Sequence, residues 1–391
     1  MRRQREAEFL LELLRKKPNS DHLRETLSRD RWFDWDLLEE LLFCSRTVSL
    51  AASILAGDEP IRSLFPDALA GRIIGEGERA AFRSLVKESE FDEVTGAFRA
   101  MGLPHIVLKG LPFGARYFGD PARRDVRDLD LLIPPESLSL GERVLRRLGY
   151  DLFEGVQSRA WYRRHHFHLV FVRRRAALEV VELHWNLLPF PVNRNVDTAE
   201  LFRKGREIPF RGGEIRVLNP LDEAVFLCAS LRLDQFTSLK RIVDLDRVLE
   251  EGGEVNRDAL LGRAREWSIE EEARTALFFL DKFRGDKRRL REAPPRIRRF
   301  AFRFRWTDFF GIKQGRVVRL RLWCGYHFGY RRPAVFLFRL LFPDETFRAE
   351  VYFSEESRPP FGSRLRRFFA GLYASGDLIL HLLIAWLRAP R

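Results

Sequence analysis

Two aspartates, Asp128 and Asp130, lie two residues apart in an aliphatic run that is typical of a β-strand. Side chains at positions i and i+2 of a strand point to the same face of the sheet. Two carboxylates that converge in this way can bind a divalent cation such as Mg²⁺, which prefers oxygen ligands and substrate phosphates. A pair of such ions can stabilise the attacking and the leaving oxygen of a phosphoryl displacement. The two aspartates therefore indicate metal-assisted phosphoryl transfer.

A third acid, Glu182, lies in another apolar run that also predicts a strand. A carboxylate within an apolar strand is costly to bury unless it is paired or bound to a metal ion. We therefore expect Glu182 to complete a three-acid metal site with Asp128 and Asp130. The alternative interpretation of the Asp-x-Asp pattern is an exposed strand or loop with two solvated acids.

The segment that carries these acids predicts a small mixed β-sheet with helices on one side, so the expected fold class is α+β. Short β-type runs cover residues 104–108, 128–133, 166–172 and 178–183. Helical patterns cover residues 111–117 and 138–148, and Gly149 closes the second of them. We assign residues 101–218 to this core domain.

Both ends of the chain are predicted to be helical, with one helical region at residues 1–100 and another at residues 219–391. Apolar residues recur at helical spacing in six segments, namely 7–14, 35–55, 76–101, 221–231, 238–250 and 269–283. Gly71 is expected to end a short apolar piece before the third of these segments, and Gly102 is expected to cap its end.

The composition restricts the class of protein. The 391 residues suggest two or three domains, and the 45% hydrophobic content is enough for a real core. The 32% charged content excludes a chain embedded throughout in a membrane. Three scattered cysteines indicate neither a zinc site nor a disulfide framework. Together with an N-terminus that lacks a secretory pattern, this predicts a reducing, cytoplasmic location.

The net charge of +13 is concentrated in one segment. Residues 287–332 hold 15 Lys and Arg against two acids, so this basic block alone accounts for +13. Such a block attracts polyanions, which include nucleotide phosphates, nucleic acid and anionic membranes. The alternative is a solubilising face of arginine-rich helices.

Several short motifs together resemble the uncharacterised nucleotidyltransferase family of the DNA polymerase β-like superfamily. They are Ile106-Val-Leu-Lys109-Gly110, Arg116-Tyr-Phe-Gly-Asp-Pro121, Arg127-Asp128-Leu-Asp130, Gly149-Tyr150, Glu182-Leu-His184-Trp185, Pro220-Leu-Asp222, Lys240-Arg-Ile-Val-Asp244 and Leu341-Phe-Pro-Asp344. The resemblance covers most of residues 90–350. It implies transfer of a nucleoside monophosphate from a nucleoside triphosphate such as ATP to an acceptor hydroxyl. Asp128, Asp130 and Glu182 would be the catalytic acids and the ligands of two Mg²⁺ ions, with Mn²⁺ as the alternative metal.

The resemblance also implies which residues hold the triphosphate. Gly110 lets the backbone approach a phosphate closely, and the helix start after it offers free N–H groups. The superfamily usually carries Gly-Gly or Gly-Ser at this point, whereas this chain has Lys109 before Gly110. Lys109 could replace the missing hydroxyl as a charged phosphate ligand. A strand-end lysine in solvent is the alternative.

Arg127, Lys240, Asp244 and His184 are further candidates for nucleotide binding. Arg127 could neutralise the triphosphate, or it could pair with Asp125. Lys240 and Asp244 are one helical turn apart, so they could instead pair with each other at the surface. His184 lies two residues after Glu182, so the two side chains share a face of the predicted strand. His184 could bind a phosphate or support a metal ligand. A satisfied strand histidine is its alternative role.

Two other segments are given structural interpretations. The cluster His165-His166-x-His168 has no Cys, Asp or Glu at ligand spacing along the chain, so we do not expect a metal site there. Residues 368–387 are apolar for the length of a membrane span, but Asp377 and His381 interrupt them. A buried C-terminal helix is favoured over a helix on a membrane surface, and both are favoured over a span.

The alternative function belongs to a different class, a scaffold with a degenerate transferase fold. Its basic C-terminal half would bind RNA or an anionic membrane. All three acids are present, which argues against degeneration. The expected partners are an NTP and an unidentified acceptor, which could be a small molecule or sugar, RNA, or a protein hydroxyl. Nucleic acid could contact residues 287–332, and peripheral membrane contact is less favoured.

Overall fold

The computed structural model describes residues 3–29, 32–153, 166–175, 178–188, 195–234, 236–253, 255–295 and 297–298. The helices among them are α1 (Arg3–Leu13), α2 (Ser20–Ser28), α3 (Trp35–Cys44), α4 (Val48–Gly57), α5 (Glu59–Arg62), α6 (Asp67–Ala100), α7 (Leu111–Phe118), α8 (Leu138–Arg147), α9 (Thr198–Lys204), α10 (Pro220–Leu233), α11 (Leu239–Glu251), α12 (Arg257–Glu266), α13 (Glu270–Arg284) and α14 (Lys287–Glu292). The strands are β1 (Ile106–Val107), β2 (Leu129–Leu132), β3 (Asp151–Leu152), β4 (His168–Arg174), β5 (Leu178–His184), β6 (Arg206–Phe210) and β7 (Gly213–Val217).

The described strands form one mixed sheet in the order β3-β4-β5-β2-β1-β7-β6. The pairs β2/β5 and β1/β7 are parallel, and the other neighbouring pairs are antiparallel. The predicted α+β fold class is therefore confirmed. β2 is the central strand, so the acids at its start lie in the part of the sheet that is best shielded from solvent.

The four predicted strands are present, but β3, β6 and β7 are not predicted by the sequence patterns. β6 and β7 form a hairpin whose two turn residues, Arg211 and Gly212, have φ values of +50° and +75°. Two positive φ values are what a type I′ hairpin turn requires. Pro209 weakens the strand pattern of β6, but a proline is tolerated because β6 is an edge strand.

The six predicted helical segments all contain helices, although two boundaries are wrong. Residues 35–55 form two helices, because the chain turns between α3 and α4, where Arg46 has a φ of +59°. α6 continues through Gly71 instead of starting after it. A glycine costs a helix interior only about 1 kcal/mol, and the buried side chains of Leu69 and Ile73 on either side favour continuation. The predicted helical segments do not include α2, α5, α9, α12 and α14.

Helices cover both faces of the sheet, which corrects the expectation of helices on one side only. Alternate residues of β2 belong to different apolar clusters, with Leu132 in one and Leu131 in the other. The cluster around Leu132 joins both helical ends of the chain, from Phe9 in α1 to Phe279 in α13. The other cluster lies against α6 and α8 and contains Trp185. The division into 1–100, 101–218 and 219–391 stays a prediction.

No helix among the described residues is long and apolar enough to cross a membrane. The apolar segment 368–387, most of the basic block at 287–332 and the motif at residues 341–344 lie outside the described residues. The expectations for these segments therefore stay predictions.

Gly114 lets α7 pack closely against the 3₁₀ turn Pro121–Arg123. A Cβ atom at position 114 would lie 2.8 Å from Pro121 Cα and 3.2 Å from the Pro121 carbonyl oxygen. Both of these contacts are with backbone, which cannot rotate away as a flexible side chain can. The absence of a side chain at residue 114 therefore fixes the position of the helix that follows Gly110.

Replacement of Gly114 by Ala should lower the free energy of unfolding by about 1–3 kcal/mol, because an added methyl group in a close contact forces backbone movement. Gly96→Ala in α6 is the matched control, because a Cβ at position 96 would have no atom within 4 Å. That variant should be neutral or slightly stabilising, since Ala favours a helix. Urea denaturation of both variants measures the difference. Equal stability would contradict the tight packing at residue 114.

Candidate metal and nucleotide site

The parallel pairing of β2 and β5 brings two predicted site residues side by side. Asp130 lies opposite Glu182 in the register, and Leu132 lies opposite His184. Paired residues on neighbouring strands project to the same face, so Asp130, Glu182 and His184 share a face. Asp128 lies immediately before β2 and two residues from Asp130, which places it beside them.

The three acids converge. One carboxylate oxygen from each of Asp128, Asp130 and Glu182 lies within 4.8 Å of the other two. The side chain of Asp130 is 1% exposed, whereas that of Glu182 is 24% exposed. The cluster is therefore anchored inside the protein at Asp130 and reaches solvent at Glu182.

Asp130 is a buried carboxylate held by two cationic groups. Its Oδ1 atom accepts a hydrogen bond from Lys109 Nζ at 3.2 Å and lies 3.2 Å from His184 Nε2. Burial alone would raise the pKa of Asp130, but the charge of Lys109 and the hydrogen bond from His184 outweigh it and hold the pKa well below its usual range. Oδ2 of Asp130 is buried and has no hydrogen-bond partner within the described part of the chain. That oxygen is the one that is free to bind a cation.

His184 links the two strand acids. Its Nε2 atom lies 3.3 Å from Glu182 Oε2 as well as close to Asp130. Burial opposes the charged form, but both carboxylates favour it, and the net effect raises the pKa of His184. Burial raises the pKa of Glu182, and the charge of Asp130 contributes in the same direction. The two neighbouring carboxylates therefore favour the protonated form of His184.

Lys109 and Gly110 lie at the end of β1, directly beside the acids. Gly110 has a φ of +80°, a conformation that side-chain-bearing residues rarely adopt, and it is the N-cap of α7. Lys109 is partly buried, and its ammonium lies 5.5 Å from the centre of the Phe226 ring as well as touching Asp130. The alternative of a solvated strand-end lysine is therefore wrong.

Asp244 and Lys240 lie in α11, close to the loop before β2. Asp244 is 1% exposed and accepts two hydrogen bonds of 2.9 Å from the guanidinium of Arg124. A surface pair between Lys240 and Asp244 is therefore wrong, because α11 packs this face inward and Arg124 occupies both oxygens. Burial lowers the pKa of Lys240 well below its usual value, and the charge of Arg124 lowers it further.

Arg127 points away from the acid cluster and is exposed. Its Nε atom donates to Asp125 Oδ2 at 3.1 Å, which is the alternative that the sequence left open. Asp125 also accepts a 2.7 Å hydrogen bond from Arg46, the residue of positive φ between α3 and α4. Arg46 was missed by sequence reasoning, because no motif connects residues 79 positions apart.

Glu223 in α10 is another buried acid of this region, and the sequence patterns did not identify it. It is 2% exposed, accepts a 2.6 Å hydrogen bond from the Tyr117 hydroxyl and forms an ion pair with Arg116. Burial raises the pKa of Glu223 to about 7, although the charge of Arg116 opposes the rise. An acid in the first turn of a helix usually lies at the surface and interacts with the helix dipole, so the sequence held no signal for this role.

His168 joins the site from β4. It lies opposite His184 in the antiparallel pairing of β4 and β5, and its Nε2 atom is 4.0 Å from Glu182 Oε2. Spacing along the chain suggested no acidic partner for this histidine, because its neighbours come from the adjacent strand. His165 lies outside the described residues.

The donor set fits a divalent cation. Three carboxylates converge, one of them has a buried oxygen without a hydrogen-bond partner, and hard cations prefer such ligands. The neighbouring Lys109 and the start of α7 are the kinds of group that bind phosphate. The site can therefore bring a metal ion and an anionic phosphate together.

Comparison with known proteins gives one family match. Residues 32–285, more than half of the chain, match the model of a family described as uncharacterised nucleotidyltransferase. Among solved structures, the crystal structure of an antigenic nucleotidyltransferase-like protein from Paracoccidioides brasiliensis is similar, with 18% sequence identity and a TM-score of 0.30. That match covers 55% of this chain and 92% of the other. No curated protein matches the chain.

Glu223→Gln should remove part of the pH dependence of stability. The pKa of Glu223 is raised to about 7 in the folded state from an ordinary value of 4.5. Its contribution to stability is therefore fully present below about pH 4.5 and is lost as the pH rises through about 7. Between about pH 5 and pH 8 this loss should amount to about 2–3 kcal/mol in the wild type and should be absent in Glu223→Gln.

Urea denaturation at both pH values measures this difference. Glu136→Gln, which replaces an exposed glutamate in the turn Pro135–Ser137, is the control and should keep the wild-type pH dependence. An unchanged pH dependence in Glu223→Gln would contradict the raised pKa.

Proposed function

The chain belongs to the uncharacterised nucleotidyltransferase family, and from this premise we propose that it transfers a nucleoside monophosphate from an NTP to an acceptor hydroxyl. The observation that carries the proposal is the convergence of Asp128, Asp130 and Glu182 beside Lys109 and a helix start. A three-acid cluster next to phosphate-binding groups serves nucleotidyl transfer better than it serves stability, because converging carboxylates repel one another unless cations neutralise them.

The three acids would hold Mg²⁺, with two ions in the full site and Mn²⁺ as an alternative. Asp130 would use its free oxygen, Oδ2, and keep Oδ1 for Lys109 and His184. Bound divalent ions would neutralise the phosphates and stabilise the charge that develops during transfer. Glu182, which reaches solvent, would lie nearest to an incoming acceptor hydroxyl and help to orient it.

Lys109, Gly110 and the first turn of α7 would hold the triphosphate. Lys109 is close enough to Asp130 to bridge a carboxylate and a phosphate, and Phe226 restricts its ammonium to that region. The first N–H groups of α7 have no partner within the helix, and the positive φ of Gly110 turns the chain so that a phosphate can approach them. These groups would fix the triphosphate before transfer.

Nucleotide binding would be completed by four further residues, Lys240, His184, Arg127 and Asp244. Lys240, which has no hydrogen bond or ion pair to the described residues, and His184 are proposed to contact phosphate. Arg127 is exposed and could reach the triphosphate by releasing Asp125. Asp244 is proposed to position Arg124, whose guanidinium lies 4.9 Å from the Phe113 ring in α7.

The acceptor is proposed to be a hydroxyl of a small molecule or sugar, of RNA, or of a protein. The basic block at 287–332 favours a polyanionic acceptor such as RNA, and the location of the reaction would be the cytoplasm. A degenerate scaffold is disfavoured, because an inactive fold has no need to keep three converging acids.

Asp128→Ala should reduce NMP transfer by roughly 10²–10³-fold or more, since the site loses part of the charge stabilisation on which the transfer depends. The measurement is incorporation of label from each α-³²P NTP into the fractions of a cell lysate, with Mg²⁺ or Mn²⁺ present. Asp151→Asn, which changes an exposed aspartate at the start of β3, is the control and should keep full activity. Wild-type transfer by Asp128→Ala would rule out the proposed site.

Binding of an NTP should be visible as thermal stabilisation. With Mg²⁺ present, a nucleotide at about 100 times its Kd should stabilise the folded chain by about 2.7 kcal/mol, and the melting temperature should rise. The same nucleotide with EDTA should give a smaller shift, because the acids would then repel the phosphates. If no NTP shifts the melting temperature with either Mg²⁺ or Mn²⁺, the scaffold function is favoured instead.

A further inference from the structure

A second group of metal-ligating side chains lies beside the three-acid cluster. One ligand atom from each of His168, Glu182 and His184 lies within 4.8 Å of the other two. The proposed transfer needs the acids but does not use His168. We propose that these three residues form a binding site for a borderline transition metal such as Zn²⁺, Mn²⁺ or Co²⁺, and that Glu182 is shared with the Mg²⁺ site.

The strand register builds this group. His168 lies opposite His184, and Val170 lies opposite Glu182, in the antiparallel pairing of β4 and β5. The two imidazole rings therefore project from the same face, with their centres 4.8 Å apart. Because all three side chains stand on paired strands, their relative positions are held by backbone hydrogen bonds and not by a mobile loop.

The distances suit ligands that converge on one ion. Nε2 of His184 lies 3.3 Å from Glu182 Oε2, and Nε2 of His168 lies 4.0 Å from the same oxygen. Two atoms that bind one ion at about 2.0–2.2 Å are separated by roughly 3–4 Å. These separations therefore allow both nitrogens and the shared oxygen to bind one ion with small side-chain movements. While such an ion is bound, His184 Nε2 gives up its hydrogen bond to Asp130 Oδ1, and Lys109 still compensates Asp130.

Several buried polar atoms of this pocket are not satisfied by the protein. Nδ1 of His168, Nδ1 of His184 and Oδ2 of Asp130 are all buried and have no hydrogen-bond partner among the residues that the structure describes. Each such atom costs about 1–3 kcal/mol when it is left without a partner. Three of them in one pocket indicate that it is built to receive polar ligands, since a packed core avoids this cost.

The donor types select the class of metal. Two imidazole nitrogens with one carboxylate suit Zn²⁺, Co²⁺, Mn²⁺ or Fe²⁺, whereas Mg²⁺ prefers oxygen donors. Asp128 and Asp130 offer only oxygens and form a separate group of ligands with Glu182. The two adjacent positions should therefore prefer different metals, one hard and one borderline. This inference concerns metal binding and does not depend on nucleotidyl transfer.

Co²⁺ is the probe, because nitrogen ligands give it a characteristic visible absorption. The full chain, without a histidine tag and stripped with EDTA, is titrated with Co²⁺ in the presence of excess Mg²⁺. We expect one Co²⁺ site that Mg²⁺ does not displace. Loss of even an outer-shell partner of a metal ligand lowers affinity by about 10–100-fold, so His168→Ala should weaken Co²⁺ binding by at least tenfold.

His22→Ala, which removes a histidine of α2 far along the chain from the pocket, is the matched control and should bind Co²⁺ as the wild type does. His168→Gln is tested in parallel, and the melting temperatures of the metal-free variants check that each one folds. Wild-type Co²⁺ affinity in a folded His168 variant, or displacement of Co²⁺ by Mg²⁺, would overturn the proposal. Either result would leave His184 as a hydrogen-bonding link between carboxylates.

Asp128→Ala separates this inference from the proposed function. It removes an acid that only the oxygen site uses, so it should abolish transfer and keep the nitrogen-bound Co²⁺ spectrum. Loss of the spectrum in Asp128→Ala would show a single mixed site and would also overturn the inference. If Asp128→Ala keeps both its transfer activity and the Co²⁺ spectrum, the proposed function is contradicted and the metal-binding inference is not.

Discussion

The charge of Asp130 must be compensated, because its carboxylate lies at the centre of a sheet where it is 1% exposed. An isolated buried carboxylate would destabilise the fold by several kcal/mol or more. Lys109 from the end of β1 and His184 from β5 supply the compensation, and these two strands are the neighbours of β2 on either side. The strand order β5-β2-β1 therefore places a compensating side chain on each side of Asp130.

The helices that cover this face of the sheet also carry buried acids whose charges are compensated by neighbouring side chains. Asp244 in α11 is balanced by Arg124, and Glu223 in α10 is balanced by Arg116 and Tyr117. The positive partners come from α7 or from the segment that leads into β2, whereas the acids come from the C-terminal helices. Charge pairing thus ties the helical end of the chain to the element that begins beside the acids.

The sequence predicted what depends on local pattern. Asp128, Asp130 and Glu182 were found because a period of two and an acid in an apolar run are visible in the residues themselves. His168 as a neighbour of Glu182, and Arg46 as a partner of Asp125, depend on which strands and loops become adjacent. The periodicity of a sequence does not show which strands and loops become neighbours in the fold.

The sequence also did not predict which charged residues on helices are buried. No sequence pattern indicated that Glu223 is buried, and a surface pair for Lys240 was left open, whereas burial in the folded chain shifts the pKa of both residues. The hairpin β6/β7 was missed for a local reason, because Pro209 and a turn with an arginine at its first position hide a strand pair. Long-range pairing and unusual turn residues therefore account for most of the differences.

The parallel pairing of β2 with β5 has a consequence for the newly made chain. Asp130 and His184 are 54 positions apart, so a chain emerging from the ribosome exposes Asp128 and Asp130 well before Glu182 and His184 exist. Parallel pairing over such a separation must wait until the intervening residues have been synthesised and folded. A nascent chain therefore holds only a weak, incomplete set of ligands. A metal ion that needs all three acids would be captured only when the domain is finished, and its binding free energy would then favour the completed domain over every earlier intermediate.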